Sequence, residues 1–254
     1  MQNPEITNSI IKRVTSLDTR KGRRTEGLFK AEGTKCVLDT LPHFTLEALY
    51  ATPEWLVAHP LPADKADKAV EAGKGQLGKM SGMVSTPDVI AVYRIPAETP
   101  LPDPRGRLML ALDTIQDPGN LGTIIRVADW FGVTDILCSE ETASCYAPKV
   151  VQATMGSISR VRMHYCNLPE ILRSLGGKVG VYGTFLDGEP ITGMMLPSEG
   201  IIVIGNEGNG ISPEVEETVT RRLFIPSWPE GRETGESLNA AIATAVTLAK
   251  FRGI

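Results

Sequence analysis

Five polar residues in three short loops could act on one ligand. Asn120 and Arg126 lie in the run Asp117-Pro118-Gly119-Asn120-Leu121-Gly122-Thr123-Ile124-Ile125-Arg126. Glu207 lies in Gly205-Asn206-Glu207-Gly208-Asn209-Gly210, and Ser237 and Asn239 flank Leu238. A guanidinium stays charged in proteins, so Arg126 can grip a polyanion or stabilise a developing oxyanion. A carboxylate between glycines, as at Glu207, needs a specific partner or a specific ligand. Each residue also has an ordinary reading. Asn120 and Ser237 could be helix N-caps, and Arg126 could anchor a structural ion pair. The glycine spacing matches neither G-x-G-x-x-G nor G-x-x-x-x-G-K-[ST], which disfavours a dinucleotide or triphosphate. His43, His59 and His164 fall outside these loops and read as surface or core histidines. No acid–histidine cluster has metal spacing, so no metal is expected.

The three loops follow apolar runs that read as strands. Strands are expected at 108–112, 135–138, 161–165, 180–184, 201–204 and 223–225. Helices are expected over 121–131, 148–155, 168–175, 213–220 and 238–251. Strands alternating with helices, several of them apolar throughout, predict a mostly parallel sheet covered on both faces. Such sheets take their ligands at the carboxyl ends of the strands. Four prolines within 96–104 exclude a helix interior or a central strand there. The expected boundaries are an N-terminal domain at 1–97, a linker at 98–106 and a C-terminal domain at 107–254. In the N-terminal part, helices are expected over 6–17 and 34–41, strands at 50–51, 54–57 and 89–94, and an exposed helix over 61–76.

A net charge of −4 argues against indiscriminate coating of nucleic acid but leaves room for local patches. Lys12, Arg13, Arg20, Lys21, Arg23 and Arg24 form one. They could be a solvated helix face or a footprint for RNA phosphates. Cys36, Cys138, Cys145 and Cys166 show no C-x-x-C spacing and are expected to be reduced thiols. No apolar run approaches the roughly 18 residues of a membrane span, and no signal-peptide pattern opens the chain. A cytoplasmic protein without a membrane partner is expected.

Taken in order, Asn120-x-Gly122-x-x-x-Arg126, Ile204-Gly205-Asn206-Glu207-Gly208, and Ile225-Pro226 with Ser237-Leu238-Asn239 resemble the three motifs of the SpoU (TrmH-type) RNA ribose 2′-O-methyltransferases, within the SPOUT superfamily. The similarity spans about 108–251. The stretch from Asn8 to Arg24, with Phe29-Lys30-Ala31-Glu32-Gly33, resembles the RNA-binding domain that precedes the catalytic domain in ribosomal-RNA members.

The resemblance implies an α/β SPOUT fold with a C-terminal trefoil knot, preceded by a small α/β RNA-binding domain. It also implies a homodimer that uses S-adenosylmethionine to methylate a ribose 2′-hydroxyl in structured RNA, with ribosomal RNA favoured over tRNA. Gly183, Thr184, Gly205, Ile225 and Leu238 would hold the cofactor. Arg126, Asn120, Glu207, Asn239 and Ser237 would form the reaction centre, and the basic cluster would meet RNA.

Arg126 is expected to remain charged, with Glu207 orienting it or the neighbouring backbone. The loop 227–236 is longer than the family's, with Trp228, Arg232 and extra acids, and Ala240 stands where valine is frequent. The rival readings are a tRNA 2′-O-methyltransferase, a nucleotide-dependent enzyme, and a non-catalytic RNA-binding protein.

Overall fold

The computed structural model describes residues 6–229, 235 and 237–254, and the chain divides into two compact units. Unit 1 comprises 1–97 together with 144–159, and unit 2 comprises 98–143 with 160–254.

Unit 1 opens with helices α1 (Asn8–Ser16) and α2 (Arg20–Glu26), followed by strand β1 (Leu28–Glu32) and helix α3 (Thr34–Thr40). Strand β2 (Leu46–Ala51), helices α4 (Pro53–Ala58) and α5 (Ala63–Ala66), strand β3 (Ala69–Glu71), helix α6 (Lys74–Met80) and strand β4 (Val89–Arg94) complete it. The sheet order is β1-β4-β2-β3, and only the β2–β3 pair is parallel.

Both faces of β1 are buried, because successive side chains point to opposite sides. Leu28 joins Val14, Leu17, Leu77 and Met80 in one core. Phe29 meets Phe44, Tyr93 and Tyr146 at ring separations of 5.0, 5.4 and 4.7 Å.

Several local expectations fail here for identifiable reasons. β1 was not expected, since Lys30 and Glu32 interrupt the apolar pattern. Lys30 is nonetheless fully buried, with Nζ 2.9 Å from both Asp18 and Glu32 and donating to the Met80 carbonyl at 2.6 Å. Residues 54–57 form helix rather than strand, because Thr52 caps the Trp55 N–H and Pro53 pre-sets the first helical φ. The single helix expected over 61–76 is instead α5, β3 and α6. Gly73 ends the strand, and the Gln76 side chain accepts its N–H at 2.9 Å to start α6.

Unit 2 carries strands β5 (Leu108–Leu112), β6 (Asp135–Cys138), β7 (Arg162–Tyr165), β8 (Val181–Pro190), β9 (Gly200–Ile204) and β10 (Arg221–Phe224). All pairings are parallel, in the order β10-β8-β9-β5-β6-β7. Helix α7 (Pro118–Trp130) follows β5. Helix α8 (Pro148–Ala153), between β6 and β7, belongs to unit 1, where it packs on β1. Helices α9 (Leu168–Gly176), α10 (Pro213–Glu216) and α11 (Ala240–Phe251) complete the chain.

One face of the sheet packs Met109, Ala111, Val181 and Val203 against Leu168, Leu172 and Val215 of α9 and α10. Alternate residues face the other way, where Tyr182 meets Phe251 of α11 edge-on at 5.1 Å, and α11 packs along α7. The expected mostly parallel α/β architecture is therefore present.

β8 runs six residues beyond its expected end. After a register shift at Arg222 and Leu223, the polar stretch to Pro190 continues to pair with β10. α10 stops at Glu216, four residues short of the expected span.

Candidate active site

β5 and β9 are neighbours in register, with Leu112 opposite Ile204. The Asp113 N–H donates to the Ile204 carbonyl at 2.9 Å, which brings the loops that follow these two strands together. Two of the three sequence loops therefore meet by sheet topology alone.

The N-cap of α7 is Asp117, not Asn120. Its carboxylate accepts the Asn120 N–H at 2.8 Å, with Pro118 in the first turn. This leaves the Asn120 side chain free for other work. The N-cap of α11 is Asn239, not Ser237, which is exposed. Asn239 Oδ1 accepts from the N–H groups of Ala241 and Ile242 at 3.0 and 3.3 Å.

That cap fixes the direction of a hydrogen-bond chain. With Oδ1 engaged, Asn239 can offer only Nδ2, which donates to Asn120 Oδ1 at 2.8 Å. Asn120 must then present its own Nδ2 outward, and it donates to Glu207 Oε1 at 2.8 Å. Glu207, Asn120 and Asn239 thus form one ordered relay joining all three loops. Asn120 keeps one N–H and one lone pair unused by this relay, and Asn239 keeps one N–H.

Arg126 stands apart from that relay. Among the described residues its side chain makes no hydrogen bond or ion pair, and Glu207, expected to orient Arg126 or the neighbouring backbone, accepts from Asn120. It shares an exposed stripe of α7 with Thr123 and Trp130, spaced three and four residues apart. A cation held on a rigid helix, with no side-chain partner among the described residues, is available to an anionic ligand.

The positions expected to hold the cofactor fall into two kinds. A Cβ on Gly205 would lie 2.3–2.6 Å from backbone atoms of Gly210 and Ile211, because the loop folds back through a reciprocal Asn206–Gly210 bridge. A Cβ on Gly183 would lie 2.5 Å from the Phe185 ring. Close packing within the protein is sufficient reason for both glycines. Thr184 Oγ1 donates to the Val203 carbonyl at 3.3 Å.

Ile225 and Leu238 differ. Their backbone N–H and C=O groups find no partner among the described residues, and the Leu238 side chain is half exposed. Unused backbone polar groups beside an apolar side chain suit the edge and face of a nucleoside, so these residues fit S-adenosylmethionine. Arg232 and the acids at 230, 233 and 236 lie outside the described residues.

The basic cluster of unit 1 is divided. Lys12, Arg20, Lys21 and Arg24 are exposed. Arg13 pairs with Glu26 at 2.7 Å. Arg23 is buried, and its Nη1 donates to the Leu17 and Asp18 carbonyls at 2.8 and 3.1 Å, satisfying the end of α1. Its expected role in RNA contact is therefore corrected to a structural one. Packing so close is permitted by Gly22, where a Cβ would lie 2.0 Å from the Ser16 carbonyl oxygen.

Sequence reasoning missed Asp113, Asn206 and Ser212, which tie the loops together. The available signal was an aspartate ending a fully apolar strand. His164 is a core residue bound to Asp135 at 3.0 Å, and the four cysteines are free thiols. Among the described residues, no group of three or more potential ligands could hold a metal, and no helix is long and apolar enough to cross a membrane.

Comparison with known proteins identifies the family to which this chain is similar. Residues 107–249 match the model of the SpoU rRNA Methylase family, and residues 8–91 match that of the MRM3-like substrate binding domain. An uncharacterized tRNA/rRNA methyltransferase of Synechocystis is 29% identical, covering 96% of this chain and 91% of its own. The 23S rRNA (guanosine(2553)-2'-O)-methyltransferase RlmP of Bacillus subtilis is 34% identical over 58% of each chain. The structure of a putative RNA methyltransferase of the TrmH family from Porphyromonas gingivalis is 37% identical, with a TM-score of 0.87 over 97% of this chain and 98% of its own. An AdoMet-bound rRNA methyltransferase from Sinorhizobium meliloti is 28% identical, with a TM-score of 0.84 over 98% and 96%.

Proposed function

The chain belongs to the SpoU rRNA methylase family, and from that premise we propose that it methylates a ribose 2′-hydroxyl of ribosomal RNA. It is an RNA methyltransferase that uses S-adenosylmethionine, held beside Ile225 and Leu238, which supplies the electrophilic methyl group when bound. The observation that carries the reading is the relay from Glu207 through Asn120 to Asn239 at the carboxyl edge of the parallel sheet.

Methyl transfer to a hydroxyl needs an aligned acceptor and stabilisation of the negative charge that develops on its oxygen. Asn120 and Asn239 each have an unused N–H to place toward the ribose. Arg126 stays charged, grips the nucleotide phosphate and stabilises the developing alkoxide, while the proton leaves through the phosphate or water. A guanidinium is too weak an acid to serve as a neutral base.

Lys12, Arg20, Lys21 and Arg24 supply the phosphate contacts of unit 1. The preference for ribosomal RNA is supported by the SpoU rRNA Methylase model matched by residues 107–249 and by the similarity to the 23S rRNA methyltransferase of Bacillus subtilis. The active form is a homodimer, for which α11 offers an exposed apolar stripe, and the threaded C-terminal knot is part of the same reading.

Incubation with labelled S-adenosylmethionine and total RNA from a strain lacking the protein tests this. Label in a 2′-O-methylated ribosomal nucleotide is expected. Label confined to tRNA would overturn the substrate, and label on a base would overturn the chemistry.

A further inference from the structure

Two of the residues that aim Glu207, Asp113 and Ser212, lie outside all three motifs. Asp113 is 4% exposed at the end of β5. Its Oδ2 accepts both the N–H and the Oγ–H of Ser212, each at 2.7 Å. Ser212 stands at the N-cap of α10, yet its hydroxyl makes no cap hydrogen bond there. The ordinary explanation of a serine before proline therefore does not account for this side chain.

The next residue, Thr114, adopts φ +59, a left-handed conformation uncommon for a threonine. Its N–H donates to Ser139 Oγ at 2.9 Å, and its carbonyl accepts from Asn206 Nδ2 at 2.8 Å. Asn206 Oδ1 in turn accepts the N–H groups of Gly208 and Asn209 at 2.9 and 3.0 Å. The loop that carries Glu207 is thus stapled at its start through Asn206 and at its end through Ser212. Both staples reach the two residues that leave β5, the strand that leads into Asn120.

We propose that Asp113 is a positioning residue: through Ser212 it latches the glycine-rich loop to the end of β5 and so sets Glu207 at Asn120. The latch rests on the functional reading above, since its purpose is to align the relay. Three glycines make this loop adaptable, and a carboxylate receiving two hydrogen bonds from Ser212 holds it in one register. Without the latch Glu207 would still be present but would meet Asn120 only part of the time.

The test is a double-mutant cycle on the full-length protein. Its readout is label transferred to total RNA from a strain lacking the protein, at saturating S-adenosylmethionine. Asp113→Asn is expected to lower the rate by about tenfold in the wild-type background and by less than about twofold in a Glu207→Ala background. Ser212→Ala should lower the rate, and Ser212→Thr, which keeps the hydroxyl, should restore most of it.

An equal loss from Asp113→Asn in both backgrounds would overturn the latch, as would a lowered melting temperature with an unchanged rate. If Asp113→Asn does not fold, the cycle is run with Ser212→Ala, and the same two outcomes decide it. A wild-type rate for Glu207→Ala alone would instead overturn the functional reading of the relay.

Discussion

Asn239 shows how one side chain can settle the orientation of two others. Its carbonyl oxygen is committed to the first N–H groups of α11, so its amide nitrogen must face Asn120, and Asn120 must then face Glu207 with a donor. The helix cap thus orders the relay. Arg126 has no such constraint, and its value lies in a planar fork that can meet two phosphate oxygens at once. Arg126→Lys keeps the charge but loses the fork. It should reduce methyl transfer by about a hundredfold while leaving cofactor affinity unchanged. Parallel measurement of labelled RNA and of S-adenosylmethionine binding would check this, and near-wild-type transfer would defeat the positioning role.

At the scale of elements, the edge of the sheet remote from the site is tied by one buried carboxylate. Asp135 at the start of β6 is 1% exposed and accepts from Arg162 at 2.8 and 2.7 Å and from His164 at 3.0 Å, both residues of β7. Burial disfavours its charge, but the hydrogen bonds from Arg162, His164 and Thr134 outweigh it and hold the carboxyl at about 2. The folded value lies below the ordinary one of about 3.9, so the stabilisation is complete above about pH 4 and is lost as pH falls through about 2. Asp135→Asn should cost about 3 kcal/mol at neutral pH, since it leaves Arg162 and His164 without their anion. Chemical denaturation across pH 2–7 would show the wild-type and variant curves converging at the acid end. Convergence at neutral pH instead would remove the ion pair from the account.

For the whole molecule, α11 carries a feature that folding of one chain leaves unexplained. Ile242 and Val246 lie four residues apart on α11 and stay exposed, at 52% and 39%. Trp130, on the helix against which α11 packs, is 86% exposed. Apolar side chains grouped on two packed helices mark a surface meant to be covered. Ile242→Glu should convert a species of twice the chain mass into monomer, with unchanged helix content. Sedimentation equilibrium alongside circular dichroism would check it, and a monomeric wild type would overturn the homodimer.

Much of this protein was legible in its residues. The runs at 108–112, 136–138 and 201–204 are apolar throughout, the pattern of a strand covered on both faces, so the parallel sheet and its ligand edge followed. Glu207 was identifiable because a carboxylate between glycines at a strand end has few structural uses, whereas Asn120 and Asn239 were identifiable through their resemblance to the SpoU motifs. Sequence could not show what each of them touches. Asn120 and Ser237 looked like caps, yet the caps are Asp117 and Asn239, because cap geometry depends on where the preceding loop delivers the chain. Arg23 was one cation among six until packing of α1 against α2 enclosed it. Glu207, expected to orient Arg126 or the neighbouring backbone, meets Asn120 for the same kind of reason. Two loops brought together by strand order can join through either of several polar partners, and the pinning of the second loop by Asp113 and Asn206 decides which one it meets. Residue type set the chemistry that was available, while long-range register and burial selected the contacts.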